Sequence, residues 1–529
     1  MQRKLFYLFL LTLAPLLSFS QEVLDAGNLS QYQSTGTARI LAMGGSSNAL
    51  GGDISSAYNN PAGLSQFKTN EIVLSPGVFL NKTNMLYNDT RFRDDRTRIN
   101  LGASGILFSF YHYNKKRKII RTNVAVALNQ TANFNTDFSY RGENRNSSYS
   151  EKWAEELISN NIRNFDNALI LSPAGASLAV ENYLVDSIRI GSDISGYRTN
   201  INTGLFPINQ SFSYRISGSV NELALSVASN RTEKFYYGIT LGLPMLRRTE
   251  ISTIEERDLS GNTNNDFDNF RYNETITTKG TGILLRAGIL YKPLEHFRIG
   301  LNIQSPTFYT LTRTMDAQLQ TSVENYAIRI NGNDSSRPKT FNLSTRDITG
   351  GNEYSYDYKF TTPWRAGLAI AYVFRETENV KRQRAMITAE AEIVNHQSIN
   401  LSNRATENNP NTSDYYKQLN KDIRLIYRPA FNFRIGGEIK FHTIMFRGGF
   451  QYLQSPFENK ALPKGIKGYR LIPSIGIGYR DKGVFADLTY SHSIGDGVHF
   501  PYLLSGNIYP YAISNIFNGQ ILTTIGFKF

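Results

Sequence analysis

The residues of this chain best able to do chemistry are its histidines, since it has no cysteine. Six histidines lie far apart, without the spacing of a shared metal site or of a haem ligand pair, at positions 112, 296, 396, 442, 492 and 499. Ser491-His492-Ser493 is the only close pairing of a hydroxyl nucleophile with a base. Adjacent residues of a strand point to opposite faces, so this pair does not form a catalytic unit. The sequence predicts no catalytic residues, no metal site and no cofactor.

A glycine-rich run between residues 36 and 64 is the other segment with a chemical interpretation. A phosphate-binding loop ends in Gly-Lys-Ser/Thr between a strand and a helix, and this run lacks both features. Its glycines permit tight chain reversals, and Asn60-Pro61 starts a turn. We therefore predict a compact hatch, or plug, within residues 21–70, carried by Gly44, Gly45, Gly51, Gly52, Asn60, Pro61, Ala62, Gly63 and Leu64.

The first 20 residues have the pattern of a secretory signal peptide. Arg3 and Lys4 precede an apolar run of thirteen positions, and small residues then favour cleavage between Ser20 and Gln21. The run is shorter than the roughly 20 residues that a membrane-spanning helix needs. The formal charge of +13 is scattered along the chain. Secretion argues against a nucleic-acid partner, whereas anionic lipid head groups suit this charge.

Alternation of apolar and polar residues runs through positions 71–529. It is unbroken in Phe297–Gln304 and clear in Phe431–Phe441, and it places alternate side chains on opposite faces of a strand. Such segments are about ten residues long and number about fourteen, and the chain ends in Phe529. We predict an all-β fold: a transmembrane antiparallel β-barrel of about 14 strands. Its long extracellular loops are expected near 135–209, 247–280 and 307–362, the first of them partly helical.

The hatch run resembles that of the FadL/TodX family of outer-membrane transporters for fatty acids and other hydrophobic compounds. The resemblance rests on Asn60-Pro61-Ala62-Gly63-Leu64, with further similarity in Thr362-Pro363-Trp364-Arg365 and Asn432–Glu438. It implies a fourteen-stranded barrel, an N-terminal plug and a sideways exit at a kink in the third strand. Thr122–Phe134 contains no Gly or Pro to mark such a kink.

Charged residues in the polar phase of the strands are expected to face the lumen. They either neutralise one another in a solvated interior or hold the hatch, and they are Arg286, Arg298, Glu390, Glu392, Arg434, Glu438, Arg447 and Asp487. Aromatic residues of the expected loops are candidates for first contact with an apolar ligand, namely Phe267, Phe270, Phe308 and Tyr309.

Two functions are compatible with these features. The first is passive uptake of hydrophobic small molecules, such as long-chain fatty acids, through a hatch-gated channel in the outer membrane of a Gram-negative bacterium. The second is a structural, docking or shuttle subunit of outer-membrane secretion or assembly machinery, with protein partners bound through the loop 135–209. In both cases the outer wall contacts outer-membrane lipid.

Overall fold

The computed structural model describes residues 20–529 except 34–35, 113–118, 192, 325–328, 331–332, 335–339, 375–383, 405–409 and 506–509. The expected signal peptide lies outside the described residues, apart from Ser20, which begins the first helix.

Fourteen strands, several of them interrupted, form one closed antiparallel barrel, as the sequence predicted. Each strand pairs with its neighbours, and the last closes the barrel on the first, where Leu74 lies opposite Ile525. The strands are β1 (Glu71–Leu74 and Pro76–Tyr87), β2 (Thr90–Leu101 and Ser104–Tyr111), β3 (Ile119–Asn133 and Thr136–Asn144), β4 (Ile208–Arg231), β5 (Phe235–Asp258), β6 (Asn269–Tyr291), β7 (Phe297–Gln304 and Phe308–Ser322), β8 (Tyr354–Thr361 and Arg365–Phe374), β9 (Ala385–Asn395 and Asn400–Asn403), β10 (Pro429–Phe441), β11 (Ile444–Leu453), β12 (Arg470–Asp481), β13 (Val484–His499) and β14 (Ala512–Lys528). Short strands Thr340–Ser344, Arg329–Ile330 and Asn333–Asp334 lie between β7 and β8.

The outer face of the barrel carries an apolar belt. In β10, Phe431, Phe433 and Ile435 point outward with about half of their surface exposed, whereas the intervening Asn432 and Arg434 are buried inside. This alternation continues around the barrel, as expected for a wall between lipid and a polar lumen. The alternating pattern predicted for Phe431–Phe441 is therefore confirmed.

Several strands extend well beyond the apolar belt. In β5 the outward residues are apolar as far as Met245, and the next outward residue is Arg247, although the strand continues to Asp258. The loops expected at 247–280 and 307–362 are therefore wrong in large part. Long polar strand extensions carry Thr, Arg and Glu on both faces, so their composition looks like that of a loop.

Seven α-helices lie in the described part of the chain, namely α1 (Ser20–Leu29), α2 (Ala38–Ala42), α3 (Tyr149–Ser159), α4 (Phe165–Leu171), α5 (Ala176–Glu181), α6 (Thr345–Ile348) and α7 (Pro410–Ile426). Short 3₁₀ turns occur at Ile54–Ala57, Pro61–Gln66, His396–Ser398 and Asn459–Ala461. None of the described helices has the length and apolar character needed to cross a membrane.

Helices α3, α4 and α5, with the hairpin Val185–Ile190 and Asp193–Thr199, form a cap over the long-strand end of the barrel. A capping box of Ser148 and Glu151 starts α3, and Trp153 and Leu157 on its inner face are buried in the aromatic core of the cap. The helical pattern predicted within 135–209 is confirmed here.

Candidate functional site

The hatch is a compact coil inside the barrel, and its sequence specifies its turns. Gly44, Gly45, Gly51 and Gly52 all have positive φ angles between 65° and 71°, which other residues rarely adopt. The Asn60 side chain accepts a hydrogen bond of 3.1 Å from the amide of Ala62, and so caps the turn that begins at Pro61. Nearly every residue from 36 to 67 is buried. The run predicted as a hatch therefore fills the lumen.

Glycines of the inner wall mark where the hatch backbone touches the barrel. A Cβ atom at any of them would come closer than 3.0 Å to hatch atoms, at Gly238, Gly288, Gly300, Gly436 and Gly449. At Gly449 the obstructing atoms belong to the backbone of Met43 and Gly44. The obstructing atoms at Gly238, Gly300 and Gly436 are also backbone, which cannot rotate away as the Asn60 side chain opposite Gly288 can, so these four positions require glycine for the hatch to seat.

All eight predicted lumen charges point inward and are buried. Three of them contact the hatch directly. Glu390 accepts from the amides of Ser47 and Asn48 at 3.3 Å, Arg298 donates to the carbonyl of Leu50 at 2.8 Å, and Glu438 pairs with Arg39 at 3.3 Å.

Four of the remaining charges hold two of those three, Glu390 and Glu438, in place. Arg434 bridges Glu390 and Glu392 at 2.7 Å each. Arg447 likewise bridges Glu438 and Asp487 at 2.6 Å each. Removing one partner of a buried pair costs about 3–5 kcal/mol, so the hatch core is firmly attached to the wall.

Sequence reasoning missed four members of this charged set. Arg286 forms a bidentate pair with Glu222, which lies in the polar phase of β4. Arg39 belongs to the hatch itself, Arg365 lies over the ring of Tyr32 at 4.4 Å, and Arg480 lies 3.8 Å from Asp487. A search for inward positions on every strand finds Glu222, but the role of Arg39 depends on how the hatch folds.

The wall has a gap between β2 and β3. Their backbone pairing runs from Tyr111 opposite Arg121 to Ser104 opposite Leu128 and then ends. Beyond this point, side chains of the two strands meet, such as Arg96 with Asp137 at 2.5 Å. The described backbone of Thr90–Leu101 pairs with β1 alone.

Gln33 and Gly36, on the chain that leads into the hatch, bond to the two sides of this gap from inside. The amide of Gln33 donates to the carbonyl of Thr131 at 2.9 Å, and the amide of Ala103 donates to the carbonyl of Gly36 at 3.0 Å. Gln33 and Gly36, which we call the seal, are thus bonded to β3 and to β2 respectively. The hatch core is held by one ion pair and by hydrogen bonds from wall side chains, whereas the described contacts of the seal with the two strands are backbone hydrogen bonds.

The break in β3 arises without a glycine or proline of its own. Pairing with β4 shifts between Gln130 and Ala132, and β3 is interrupted at residues 134–135. Opposite the interruption, Gly218 of β4 has a φ of 121°, and its carbonyl accepts from the amide of Phe134 at 3.0 Å. The glycine that permits the distortion therefore lies on the neighbouring strand, where the sequence of β3 alone could not reveal it.

An apolar pocket lies between the hatch and the cap, and α1 occupies it. Val23, Ala26 and Leu29 of α1 are buried against α7 and the inner faces of β7, β8 and β9. The polar side of α1 is also attached, because Asp25 pairs with Arg313 at 3.2 Å.

The four candidate landing residues are not brought together. Phe267 and Phe270 are buried in the core of the cap. Phe308 is 55% exposed on the outer wall, whereas Tyr309 points inward and stacks on Phe360 at 6.2 Å between ring centroids. A shared landing site was wrong because residues 308 and 309 are neighbours on a strand and face opposite sides.

Comparison with known proteins adds evidence on the fold. No family model and no curated protein matches the chain. Among solved structures, a FadL homologue from Pseudomonas aeruginosa matches with a TM-score of 0.54 and 12% identity, over 94% of this chain and 99% of that chain. The toluene transporter TbuX of Ralstonia pickettii matches with a TM-score of 0.48 and 14% identity, over 95% and 100% of the two chains. The toluene transporter TodX of P. putida matches with a TM-score of 0.46 and 14% identity, over 95% and 99%. The first of these likenesses establishes the fold, and the chain is a plugged fourteen-stranded barrel of the FadL type.

Proposed function

We propose that this protein is an outer-membrane channel for the passive uptake of hydrophobic small molecules, gated by its N-terminal segment. The observation that carries the proposal is the gap between β2 and β3, closed from inside by the seal. A barrel used for docking alone needs no removable closure in its wall. Long-chain fatty acids are the ligand class that the sequence resemblance implies.

The route follows from the order of the lumen contents. A ligand enters at the long-strand end and displaces α1 from the apolar pocket of Leu311, Phe360 and Ile423. Because the seal directly follows α1 in the chain, movement of α1 withdraws it from Thr131 and Ala103. The ligand then leaves sideways through the gap, and the hatch core stays in place to exclude solutes.

Binding and uptake test this proposal. Chloroform extracts of the purified protein, analysed by mass spectrometry, should contain an apolar ligand, and added dodecanol or laurate should bind at micromolar or lower concentration. Replacing Gly44 and Gly45 with Val should loosen the hatch core and admit polar solutes, because both residues need positive φ angles. If neither probe binds and no ligand is extracted, the transport function is refuted.

The proposed orientation places the cap outside the cell and the short turns in the periplasm. A cysteine in place of Asn160 should react with an impermeant thiol reagent on intact cells, because this residue is exposed at the end of α3. A cysteine in place of Thr232, in the turn between β4 and β5, should react after the outer membrane is permeabilised. The opposite labelling pattern would invert the topology.

A docking function has one observation in its favour. The cap exposes large apolar residues, with Ile170 69% and Ile190 74% accessible, and exposed apolar surface is typical of protein contacts. Stoichiometric co-purification with secretion or assembly subunits, lost when both residues are changed to Ser, would support docking. Unchanged binding of hydrophobic ligands in the same variant would separate the two functions.

A further inference from the structure

Three basic side chains lie on the outer face of the barrel, directly above the apolar belt. Arg247 is the first outward residue of β5 beyond the belt, and Lys279 of β6 lies opposite it in the register of the two strands. Lys359 of β8 lies two strands away from β6, opposite Thr310 of β7. All three side chains point outward and are exposed, and we call them the basic patch.

The register of the strands brings two of these charges close together. Neighbouring strands are about 4.8 Å apart, so the backbones of Arg247 and Lys279 are separated by about 5 Å, and that of Lys359 lies about 12 Å from Lys279. Like charges directly opposite each other on a sheet are destabilising. An anion bound at the outer face would remove this repulsion, so the strand pairing itself favours an anionic ligand here.

The basic patch keeps its positive charge. Within the part of the chain that the structure describes, none of its three side chains forms an ion pair or a side-chain hydrogen bond. Asp357 lies on the same face of β8 as Lys359, but it already accepts from Thr312 at 2.6 Å and pairs with Arg404 at 2.7 Å. The patch therefore has three positive charges available to a ligand.

Aromatic residues fix the height of the basic patch relative to the membrane. Phe308 of β7 is 55% exposed on the outer face and lies two residues from Thr310. Elsewhere around the barrel, Phe431 of β10 and Phe517 of β14 are outward aromatic residues at the same end of the belt. Rings of this kind lie at the boundary between hydrocarbon and head groups. The patch, which lies just beyond them, is therefore at the level of the lipid head groups.

Apolar side chains continue the same surface below the basic patch. Met245 of β5 and Ile283 of β6 are each 48% exposed, and Ile283 lies opposite Phe308. The exposed hydroxyls of Thr281 and Thr310 lie between these apolar residues and the basic ones. The surface thus presents cations and hydroxyls above hydrocarbon, which is the complement of a phosphorylated amphiphile.

We infer that the basic patch binds the phosphate groups of lipopolysaccharide, the phosphorylated glycolipid of the outer leaflet. Arg247, Lys279 and Lys359 donate to the phosphate oxygens, and the acyl chains lie on the apolar side chains below. The site is on the lipid-facing surface, so this inference goes beyond the proposed transport function and does not depend on it. It uses the orientation with the cap outside the cell, which the cysteine labelling at Asn160 and Thr232 tests separately.

Native mass spectrometry of the full-length protein in a nonionic detergent tests this inference. The protein is titrated with diphosphoryl lipid A, with the same lipid A after enzymatic removal of its phosphates, and with phosphatidylethanolamine. We expect diphosphoryl lipid A to bind at least about tenfold more tightly than either of the other lipids. Millimolar inorganic phosphate should not displace it, because the free ion makes no contact with the apolar side chains.

Changing Arg247, Lys279 and Lys359 together to Gln should remove this preference. One basic residue near an anionic lipid surface contributes about fivefold to affinity, so the triple variant should bind diphosphoryl lipid A at least about tenfold more weakly. Arg271→Gln is the matched control, because this arginine is also exposed on β6 but is paired with Glu255 at 2.6 Å. The control should keep the affinity of the parent protein, and circular dichroism should show an intact barrel in both variants.

Four results would overturn the inference. The first is binding of dephosphorylated lipid A or phosphatidylethanolamine as tight as that of diphosphoryl lipid A. The second is displacement by inorganic phosphate, which would make the patch a site for the free ion. The third is an unchanged affinity in the triple variant with an intact barrel. The fourth is co-purification of a protein partner through the patch without any binding of lipid A. None of these results bears on uptake, which the binding of laurate and dodecanol measures.

Discussion

Replacing Gly449 with Ala tests whether the hatch is seated against the wall as the structure shows. The added Cβ atom would overlap the backbone of Met43 and Gly44, so the hatch must withdraw by about 1 Å to restore ordinary contact distances. Overpacking of this kind costs about 1–3 kcal/mol. Loss of the hydrogen bond from the Gly44 amide to Ser474 (3.1 Å) adds about 1 kcal/mol.

A destabilisation of about 2–4 kcal/mol increases the population of molecules with a displaced hatch by at least about tenfold. The measurement is single-channel conductance in planar lipid bilayers, in which the variant should show frequent open events that the parent protein lacks. Gly448→Ala is the matched control, because the adjacent glycine faces outward and has no atom within 4 Å of an added Cβ. Identical traces for the two variants would refute the seating of the hatch against β11.

Two further predictions follow from the seal and the cap. Cysteines at positions 33 and 131 should form a disulfide that stops uptake of the neutral probe N-phenyl-1-naphthylamine until the disulfide is reduced. Cysteines in place of Ser46 and Thr388, whose hydroxyls are 3.0 Å apart, should leave uptake intact. A block by both pairs would show that the hatch core also moves. Burial raises the pKa of Glu256 to about 7 from 4.5 in the unfolded chain, so its stabilising contribution is present below about pH 4.5 and is lost as the pH rises through about 7. The protection factors of the described amides in residues 149–206, which are exchange rates corrected for the intrinsic pH dependence of amide exchange, should therefore fall between about pH 5 and about pH 8. Glu256→Gln should flatten this dependence, and an equal pH dependence in the variant would contradict it.

Local patterns along the chain were sufficient for the architecture of the barrel. Alternation in segments such as Phe431–Phe441 predicts both the strand and the face that meets lipid, because a period of two leaves one arrangement in a membrane wall. The same rule identified inward charges such as Arg434 and Glu438. It failed where β5 and β6 leave the apolar belt, because the outward face is polar there and the inward face mixes apolar with charged residues.

The positive-φ turns of the hatch were also predictable from the sequence, because Gly44, Gly45, Gly51 and Gly52 are the residue type that adopts positive φ angles. The wall residues that contact the hatch were not predictable. Arg39 meets Glu438, and Gly449 meets Met43, across about 400 residues of chain. Nothing in the spacing of these residues relates them until the barrel closes.

The gap in the wall depends on tertiary structure for the same reason. Gly218 of β4 permits the break in β3, and Gln33 and Gly36 contact the gap from the hatch side. The sequence of β3 alone therefore does not predict the break. The sequence by itself determined which residues face the lumen, since alternation is a local property. Only tertiary structure decided which of them meet, because register and closure place distant segments opposite one another.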